Sequence, residues 1–224
     1  MLVVIPTLNL NHLNNFFSDL DNTDLTHVTR FLIFNNSMQS WNSPHEKIQV
    51  YNLGRNTGVN YSWNRGLQIA DFTEDDLMLI NDDIVFKPGF FTKTQEVIDK
   101  FPQYNVFCPI TTNSYFEFEK HFFTSEKRYV RMKKRAGWAF TIRYKALRFI
   151  KPIPKELFLF FGDDWIWSFT GGMWLMDQAN MIYHEVGKTM KTNPELRKML
   201  NQERQIYSRH MEILGRKYED SEEI

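Results

Sequence analysis

The sequence of 224 residues has little of several features that would narrow its function directly. Its single cysteine, Cys108, excludes an internal disulfide and a cysteine-ligated zinc cluster, and it fits a reducing compartment. The 27 basic and 27 acidic residues balance, so the total charge does not favour a polyanionic partner. No apolar run is long enough to span a bilayer, and residues 1–6 lack the pattern of a signal peptide. We therefore expect a soluble, cytoplasmic, globular protein with no transmembrane segment.

What the first half does contain is an alternation of short apolar runs and helical patterns. Trp63, Leu67 and Ala70 lie at helical spacing within residues 59–70. The runs typical of buried strands are residues 2–6, 30–34, 48–53 and 77–80. Strands that alternate with helices predict an α/β fold with a mainly parallel, doubly wound sheet. Ligands of such sheets bind beyond the carboxyl ends of the strands.

The second half is less regular. The patterns there predict a helix over 88–100, strands over 105–110 and 137–143, a hairpin arm or flap over 115–123, and a helix after the apolar segment 157–161. From residue 191 onward a separate helix is expected, because Asn193 can cap it with Pro194 at its first position.

The C-terminal helix carries an apolar stripe at helical spacing and is followed by an acidic tail, residues 219–223. We interpret the stripe as a surface that packs on the core or on another subunit, and the second case would make the chain a homo-oligomer. These patterns divide the chain into a main domain, residues 1–190, and a C-terminal helix with its tail, residues 191–224.

The most informative segment follows the fourth predicted strand, where Asn81, Asp82 and Asp83 interrupt an apolar sequence. Burying carboxylates beside a core strand is costly unless a cation or a hydrogen-bond donor compensates them. Mg²⁺ and Mn²⁺ prefer oxygen ligands, and a diphosphate can complete their coordination shell. The segment therefore indicates a site for a metal and a nucleoside diphosphate, with a solvated turn as the alternative.

Five segments, in order, resemble glycosyltransferase family 2, whose members have the GT-A fold. They are residues 3–9, 56–70, 81–90, 160–164 and 184–189, which read VVIPTLN, NTG…WNRGLQIA, NDD…KPGF, FFGDD and HEVGKT. The resemblance covers roughly residues 1–190. It implies a GT-A-type, Rossmann-like sheet flanked by helices, with residues 81–83 at the position of the family's DxD-type metal motif.

The resemblance also implies how the metal is held. Asp83 would be the direct ligand and His184 the second protein ligand of Mn²⁺ or Mg²⁺, while Asn81 or Asp82 would face the ribose or ligand waters. A neutral imidazole suits Mn²⁺. The alternative for His184 is a histidine at a strand end that is satisfied by the backbone.

The catalytic base implied by the resemblance is Asp164. Such a base lies within hydrogen-bond reach of the acceptor hydroxyl, and in-line displacement from that side inverts the anomeric centre. The neighbouring Asp163 replaces the more usual glutamate, and the motif register alone separates the two. A capping pair at the start of a helix is the alternative reading.

The nucleotide pocket implied by the resemblance draws on the polar residues that follow the first strands. These are Thr7, Asn9, Asn35, Asn36 and Asn56, together with Asn81 and Asp82. Many relatives have an aspartate where Asn35 stands, and it accepts a hydrogen bond from the imide N–H of the base. An asparagine carbonyl can still accept this bond, so we expect a UDP- or dTDP-linked sugar as the donor.

One feature has no assigned place in this scheme. Residues 127–135, from Lys127 to Arg135, hold six basic side chains. Such a run is a solvated face or loop, a flap that contacts the donor diphosphate, or a patch for a polyanionic acceptor. Its interleaved aromatics are typical of nucleic-acid surfaces. The acceptor is therefore expected to be a glycan or, alternatively, DNA with hydroxylated bases, as some phages make; the enzyme would then work in the host cytoplasm.

Taken together, the sequence predicts an inverting, metal-dependent hexosyl- or pentosyltransferase that moves a sugar from a nucleotide sugar to an acceptor hydroxyl. Two alternatives stay open. A sugar-nucleotidyltransferase shares the α/β layout, but it usually has a glycine-rich, basic loop after the first strand, and Thr7, Leu8 and Asn9 provide neither glycine nor charge. A non-catalytic module that binds carbohydrate or nucleic acid on the same scaffold is the other.

Overall fold

The computed structural model describes residues 1–18, 24–120, 127–133, 137–184 and 193–216. The strands in these ranges are β1 (Leu2–Thr7), β2 (Arg30–Asn35), β3 (Ile48–Asn52), β4 (Leu77–Ile80), β5 (Val85–Phe86), β6 (Val106–Thr112), β7 (Tyr129–Arg131), β8 (Ala139–Ile142) and β9 (Trp174–Tyr183). The helices there are α1 (Leu10–Ser18), α2 (Val59–Thr73), α3 (Phe90–Lys100), α4 (Tyr115–Lys120), α5 (Tyr144–Leu147), α6 (Gly162–Thr170) and α7 (Pro194–Ile213).

These strands form one sheet in the order β3-β2-β1-β4-β8-β6-β9-β5, and β7 also pairs with β9. Parallel pairing joins β1 to β2 and β4, β2 to β3, and β6 to β9. The pairs made by β8, β5 and β7 are antiparallel. The expected α/β sheet flanked by helices is confirmed, with its parallel strands concentrated in the half that β1 to β4 build.

Both faces of the sheet are buried, which explains the uninterrupted apolar runs of the central strands. Successive side chains of a strand point to opposite faces. Val4 therefore belongs to one core with α2, α6 and α7, and Val3 to the other with α1 and α3. Helix α2 lies so close to β1 that a Cβ on Gly66 would come within 2.6 Å of Val4 Cγ2.

The predicted C-terminal helix is confirmed and packs on the chain's own core. The side-chain oxygen of Asn193 accepts a hydrogen bond from the Glu195 N–H at 3.1 Å, which caps α7 as expected. Tyr207 and Met211 are buried in the core that contains α2 and α6. The apolar stripe therefore has a partner within the chain. The acidic tail and the expected boundary at residue 190 lie outside the described residues.

One expectation for the second half requires correction, and one strand there was not predicted. Residues 115–120 form helix α4 rather than a hairpin arm, because Tyr115 and Phe118, three residues apart, both pack against Tyr183. Strand β9 was not anticipated at all. Of the helices in the part of the chain that the structure describes, none has the length and apolar character needed to cross a membrane.

Candidate functional site

A cavity of about 660 Å³ lies at the carboxyl ends of the parallel strands. Its volume is in the range of small-molecule sites. Eight residues singled out from the sequence line it: Thr7, Asn9, Asn36, Asn56, Asn81, Asp82, Asp83 and Asp163. Asn35, Asp164 and His184, which were also singled out, are not among its lining residues. The strand ends therefore bring most of the predicted site together.

The Asp82 side chain is hydrogen-bonded to the last residue of β1. Its Oδ2 accepts a hydrogen bond from Thr7 Oγ1 at 2.6 Å, and its Oδ1 lies 3.6 Å from His12 Nδ1. Burial raises the pKa of Asp82, and the Thr7 hydrogen bond and the charge of His12 oppose this rise. The backbone N–H of Asn81 donates to the Trp138 carbonyl at 3.0 Å, which holds the same segment against β8. The acidic turn thus has a fixed position between two neighbouring strands.

Asp83 lies beside His184, with 3.3 Å between Oδ1 and Nε2. Burial acts to raise the pKa of Asp83, but the hydrogen bond and charge of His184 outweigh it, so the pKa is lowered. The backbone N–H of His184 donates to the Thr112 carbonyl, since β9 continues beside β6 to this point. The sheet therefore brings together two side chains that are a hundred residues apart in the sequence.

The Asp83–His184 pair suits a divalent cation in its donor atoms, one carboxylate oxygen and one imidazole nitrogen. Within the described ranges, no cluster of three or more His, Cys, Asp and Glu side chains has the arrangement of a metal site. A metal bound here would accordingly need further ligands from water or from a bound diphosphate. This is the coordination that open sites for Mg²⁺ use with phosphate substrates.

Two asparagines, Asn36 after β2 and Asn56 after β3, hold the loops around the cavity. Asn36 Oδ1 accepts from both the N–H and the hydroxyl of Thr57 at 2.8 Å, and Asn56 Oδ1 accepts from the Gly58 N–H at 3.0 Å. These contacts join the end of β2 to the start of α2.

Asn35 is fully buried, and its side chain is engaged in the turn after β2. Its Nδ2 donates to the Gln39 carbonyl at 2.7 Å and to Asn52 Oδ1 at 2.8 Å. Its Oδ1 accepts from the Ser37 N–H at 3.0 Å. Asn35 thus shapes the turn from behind the cavity, and its expected contact with the base stays a prediction.

The acidic pair at the start of α6 is divided between the cavity and the interior. Asp163 lines the cavity, and a Cβ placed on Gly137 would lie 2.6 Å from its Oδ2. Asp164 is buried, and its backbone carbonyl accepts a hydrogen bond from the Tyr207 hydroxyl at 3.3 Å. The motif register favoured Asp164, whereas Asp163 is the member of the pair that lines the cavity.

Sequence reasoning missed part of the cavity wall. His12 lines it from α1, directly after the first strand, and that position was the only signal for it. Much of the apolar wall comes from residues 158–161 of the loop before α6, here called the 157–161 loop, and from α7 through Leu196, Met199 and Leu200. These three residues have the i, i+3, i+4 spacing of a helix face, so the sequence showed an apolar stripe without showing what it faces.

The basic segment is an edge of the sheet. Strand β7 pairs with β9, and the Arg128 guanidinium contacts the buried Asp177 at 3.1 Å. This hydrogen bond raises the pKa of Arg128. Within 127–133, the described part of the segment, no residue lines the cavity. Lys134 and Arg135 lie outside the described residues.

The sequence matches no protein-family model and no curated protein. Solved structures with a similar fold include GalNAc-T7 with UDP, GalNAc and Mn²⁺ (TM-score 0.60, 14% identity, 82% of this chain and 43% of that one). The chain has a GT-A-like fold. A further similar structure is S. aureus TarS 1-349 with UDP (TM-score 0.57, 13% identity, 82% of this chain and 59% of that one). Another is the mannosyltransferase PcManGT from Pyrobaculum calidifontis with GDP-Man and Mn²⁺ (TM-score 0.58, 11% identity, 84% of this chain and 57% of that one). The chain thus spans 43% to 59% of the length of these proteins.

Proposed function

We propose that this chain is a metal-dependent glycosyltransferase that uses a nucleoside diphosphate sugar. The observation that carries the proposal is that Asp83, at the end of β4, and Asp163, at the start of α6, line the same cavity. In this proposal the Asp83 carboxylate binds a cation and the Asp163 carboxylate accepts a proton. Support comes from two of the similar structures, GalNAc-T7 with UDP and Mn²⁺ and PcManGT with GDP-Man and Mn²⁺.

In this proposal Asp83 and His184 hold a Mn²⁺ or Mg²⁺ ion. When bound, the ion neutralises the charge that develops on the departing diphosphate. Asp82 has a different task, because Thr7 and His12 already bind its two oxygens. It keeps the turn in place and, with Asn81, faces the ribose or the waters around the ion.

The nucleotide would lie along the carboxyl ends of β1 and β2. Thr7, Asn9, Asn36 and Asn56 line this part of the cavity. We propose a UDP- or dTDP-linked hexose or pentose as the donor, in line with the family resemblance.

For the catalytic base we propose Asp163. A base must reach the acceptor hydroxyl, and Asp163 lines the cavity while Asp164 is buried beneath Tyr207. Displacement assisted from this side would invert the anomeric centre. The acceptor hydroxyl would belong to a glycan or to a hydroxylated DNA base, and it would approach along the wall that the 157–161 loop and α7 provide.

The test is calorimetric titration of UDP with and without Mn²⁺, with dTDP and GDP as alternative nucleotides. We expect UDP or dTDP to bind only weakly without the metal. Asp83→Asn should remove the gain from Mn²⁺. Asp99→Asn, an exposed aspartate on α3, is the matched control and should leave the gain unchanged.

Metal-independent binding, or no binding of any of the three nucleotides, would contradict the proposal and favour a non-catalytic binding module. If binding is confirmed, sugars linked to the preferred nucleotide can be screened against hydroxylated glycans and against DNA with hydroxymethylated bases. Release of the nucleoside diphosphate only in the presence of an acceptor would establish transfer.

A further inference from the structure

Helix α7 buries a carboxylate against the 157–161 loop. Glu203 is only 3% exposed. Its Oε2 accepts from the Phe160 N–H at 2.8 Å, and both of its oxygens lie 3.2 Å from the Leu159 nitrogen. Burial raises the pKa of Glu203, and the amide donors of the loop oppose this rise. A carboxylate buried this deeply is costly unless hydrogen bonds compensate it, and the loop amides provide them.

The same loop is bound by α2 through Asn60. The Asn60 Nδ2 donates to the Leu157 carbonyl at 3.0 Å and to the Phe160 carbonyl at 2.8 Å, and the side chain is almost completely buried. An amide nitrogen only donates, and an ionised carboxylate only accepts. Two helices therefore satisfy complementary backbone groups of one short loop. A side chain of α2 binds the loop's carbonyls, and a side chain of α7 binds its N–H groups.

The loop leads directly into the proposed base. Phe161 has a φ of 62°, which is strained for a residue with a side chain and persists only where the surroundings hold it. Its ring stacks on Tyr207 of α7 with 5.2 Å between centroids. The next residue, Gly162, has no room for a Cβ, which would lie 2.1 Å from Asn60 Oδ1. Asp163 follows at once, so its position depends on this turn.

We propose that Glu203 is a positioning residue that fixes the 157–161 loop and, through it, the direction in which Asp163 faces the cavity. The catalytic part of this inference rests on the proposed function, because it requires Asp163 to act as the base. The contact is specific to α7, which supplies the acceptor for both loop amides.

The test compares Glu203→Gln and Glu203→Met with Glu212→Gln and Glu212→Met, which change an exposed glutamate of the same helix. Amide hydrogen exchange is measured across the full chain. In Glu203→Met we expect the Leu159 and Phe160 amides to exchange about tenfold faster or more. Glu203→Gln keeps one acceptor oxygen, so the exchange rates of these amides should lie between those of the unmodified chain and those of Glu203→Met. Amides of β1 and β4, and nucleotide affinity, should not change.

In the transfer assay the Glu203 variants should lower kcat by about tenfold or more while the donor KM stays the same. Unchanged exchange at Leu159 and Phe160 would overturn the role of Glu203. The same conclusion would follow if the amide exchange rates of β1 and β4 rose as much as those of the loop. It would also follow if the loop amides exchanged faster while kcat stayed unaltered. The experiment distinguishes failure of the glycosyltransferase proposal from failure of the Glu203 proposal. Absence of transfer by the unmodified chain would contradict the first, whereas unchanged amide exchange at the loop would contradict the second.

Discussion

The two sides of the cavity are built in different ways. On the strand side, the polar side chains lie at or just after the ends of strands, and some are bound to the neighbouring strand end, as Thr7 is to Asp82. On the other side, an irregular loop is held by buried polar side chains from two helices, Asn60 and Glu203. The register of the sheet sets the geometry of the first side. Contacts between distant segments set that of the second, which makes it the easier side to vary and suits it to acceptor specificity.

The sharpest test of the loop side separates the two aspartates of α6. Asp163→Asn should lower kcat by about 10²- to 10⁴-fold, the range for loss of a general base. Asp164→Asn, its matched neighbour, should have a much smaller effect on kcat because its side chain does not line the cavity. Nucleotide binding should persist in both variants. The reverse pattern would return the base to Asp164, as the motif register indicated.

The junction between the two sides is expected to be the most sensitive backbone position. Gly58 has φ 84° and ψ 164°, and a Cβ there would lie 2.2 Å from the Phe158 carbonyl oxygen. Gly58→Ala should lower the free energy of unfolding by about 3 kcal/mol. Gly89→Ala is the control, since Gly89 also has a positive φ but nothing within 4 Å of its Cβ position, and it should cost about 1 kcal/mol. Denaturant titration measures both, and equal losses would show that the contact with Phe158 is unimportant.

A smaller effect is expected on the strand side. Asn36→Ala removes the oxygen that accepts from the Thr57 N–H and hydroxyl, and we expect a loss of about 1–2 kcal/mol in the free energy of unfolding. Asn36→Asp keeps an acceptor oxygen and should lose less. Denaturant titration and nucleotide affinity are measured together. If the alanine variant matched the aspartate variant in both, the contact would not hold the two loops.

The smallest effects are expected outside both sides of the cavity. Replacing the exposed Arg131 and Lys133 by alanine should leave stability and nucleotide binding unchanged. Their effect on transfer to glycans compared with DNA distinguishes a solvated edge strand from a polyanion patch. Loss of transfer to DNA alone would assign the segment to the acceptor.

The sequence predicted the strand side well because its signals are local. β1, β2 and β4 each contain an uninterrupted apolar run, and Asn81, Asp82 and Asp83 directly follow the last of them. In a parallel sheet, position after a strand is enough to predict position at the edge of the sheet. Thr7, Asn36, Asn81 and Asp82, which we expect to contact the nucleotide, line the cavity for this reason.

The other side could not be predicted because its signals are non-local. Strand β9 was missed since Asp177 and Asn180 interrupt its apolar pattern, at a point where its pairing with β6 shifts register. Both are buried, and Arg128 and Thr94 satisfy them from other elements. The choice between the adjacent Asp163 and Asp164 likewise depends on which face of α6 is covered by other elements. The burial of a polar residue such as Glu203 leaves no signal in the sequence.

The placement of α7 has a practical consequence for handling the protein. A chain shortened at the expected boundary of residue 190 would lose the wall formed by Leu196 and Leu200 and the acceptor oxygens of Glu203. It would also uncover Phe161 and Trp165, whose rings lie against Tyr207. Exposed aromatic surface of this kind promotes aggregation. Expression of residues 1–190 alone should therefore give poorly soluble material, and fusion partners are better placed away from this helix.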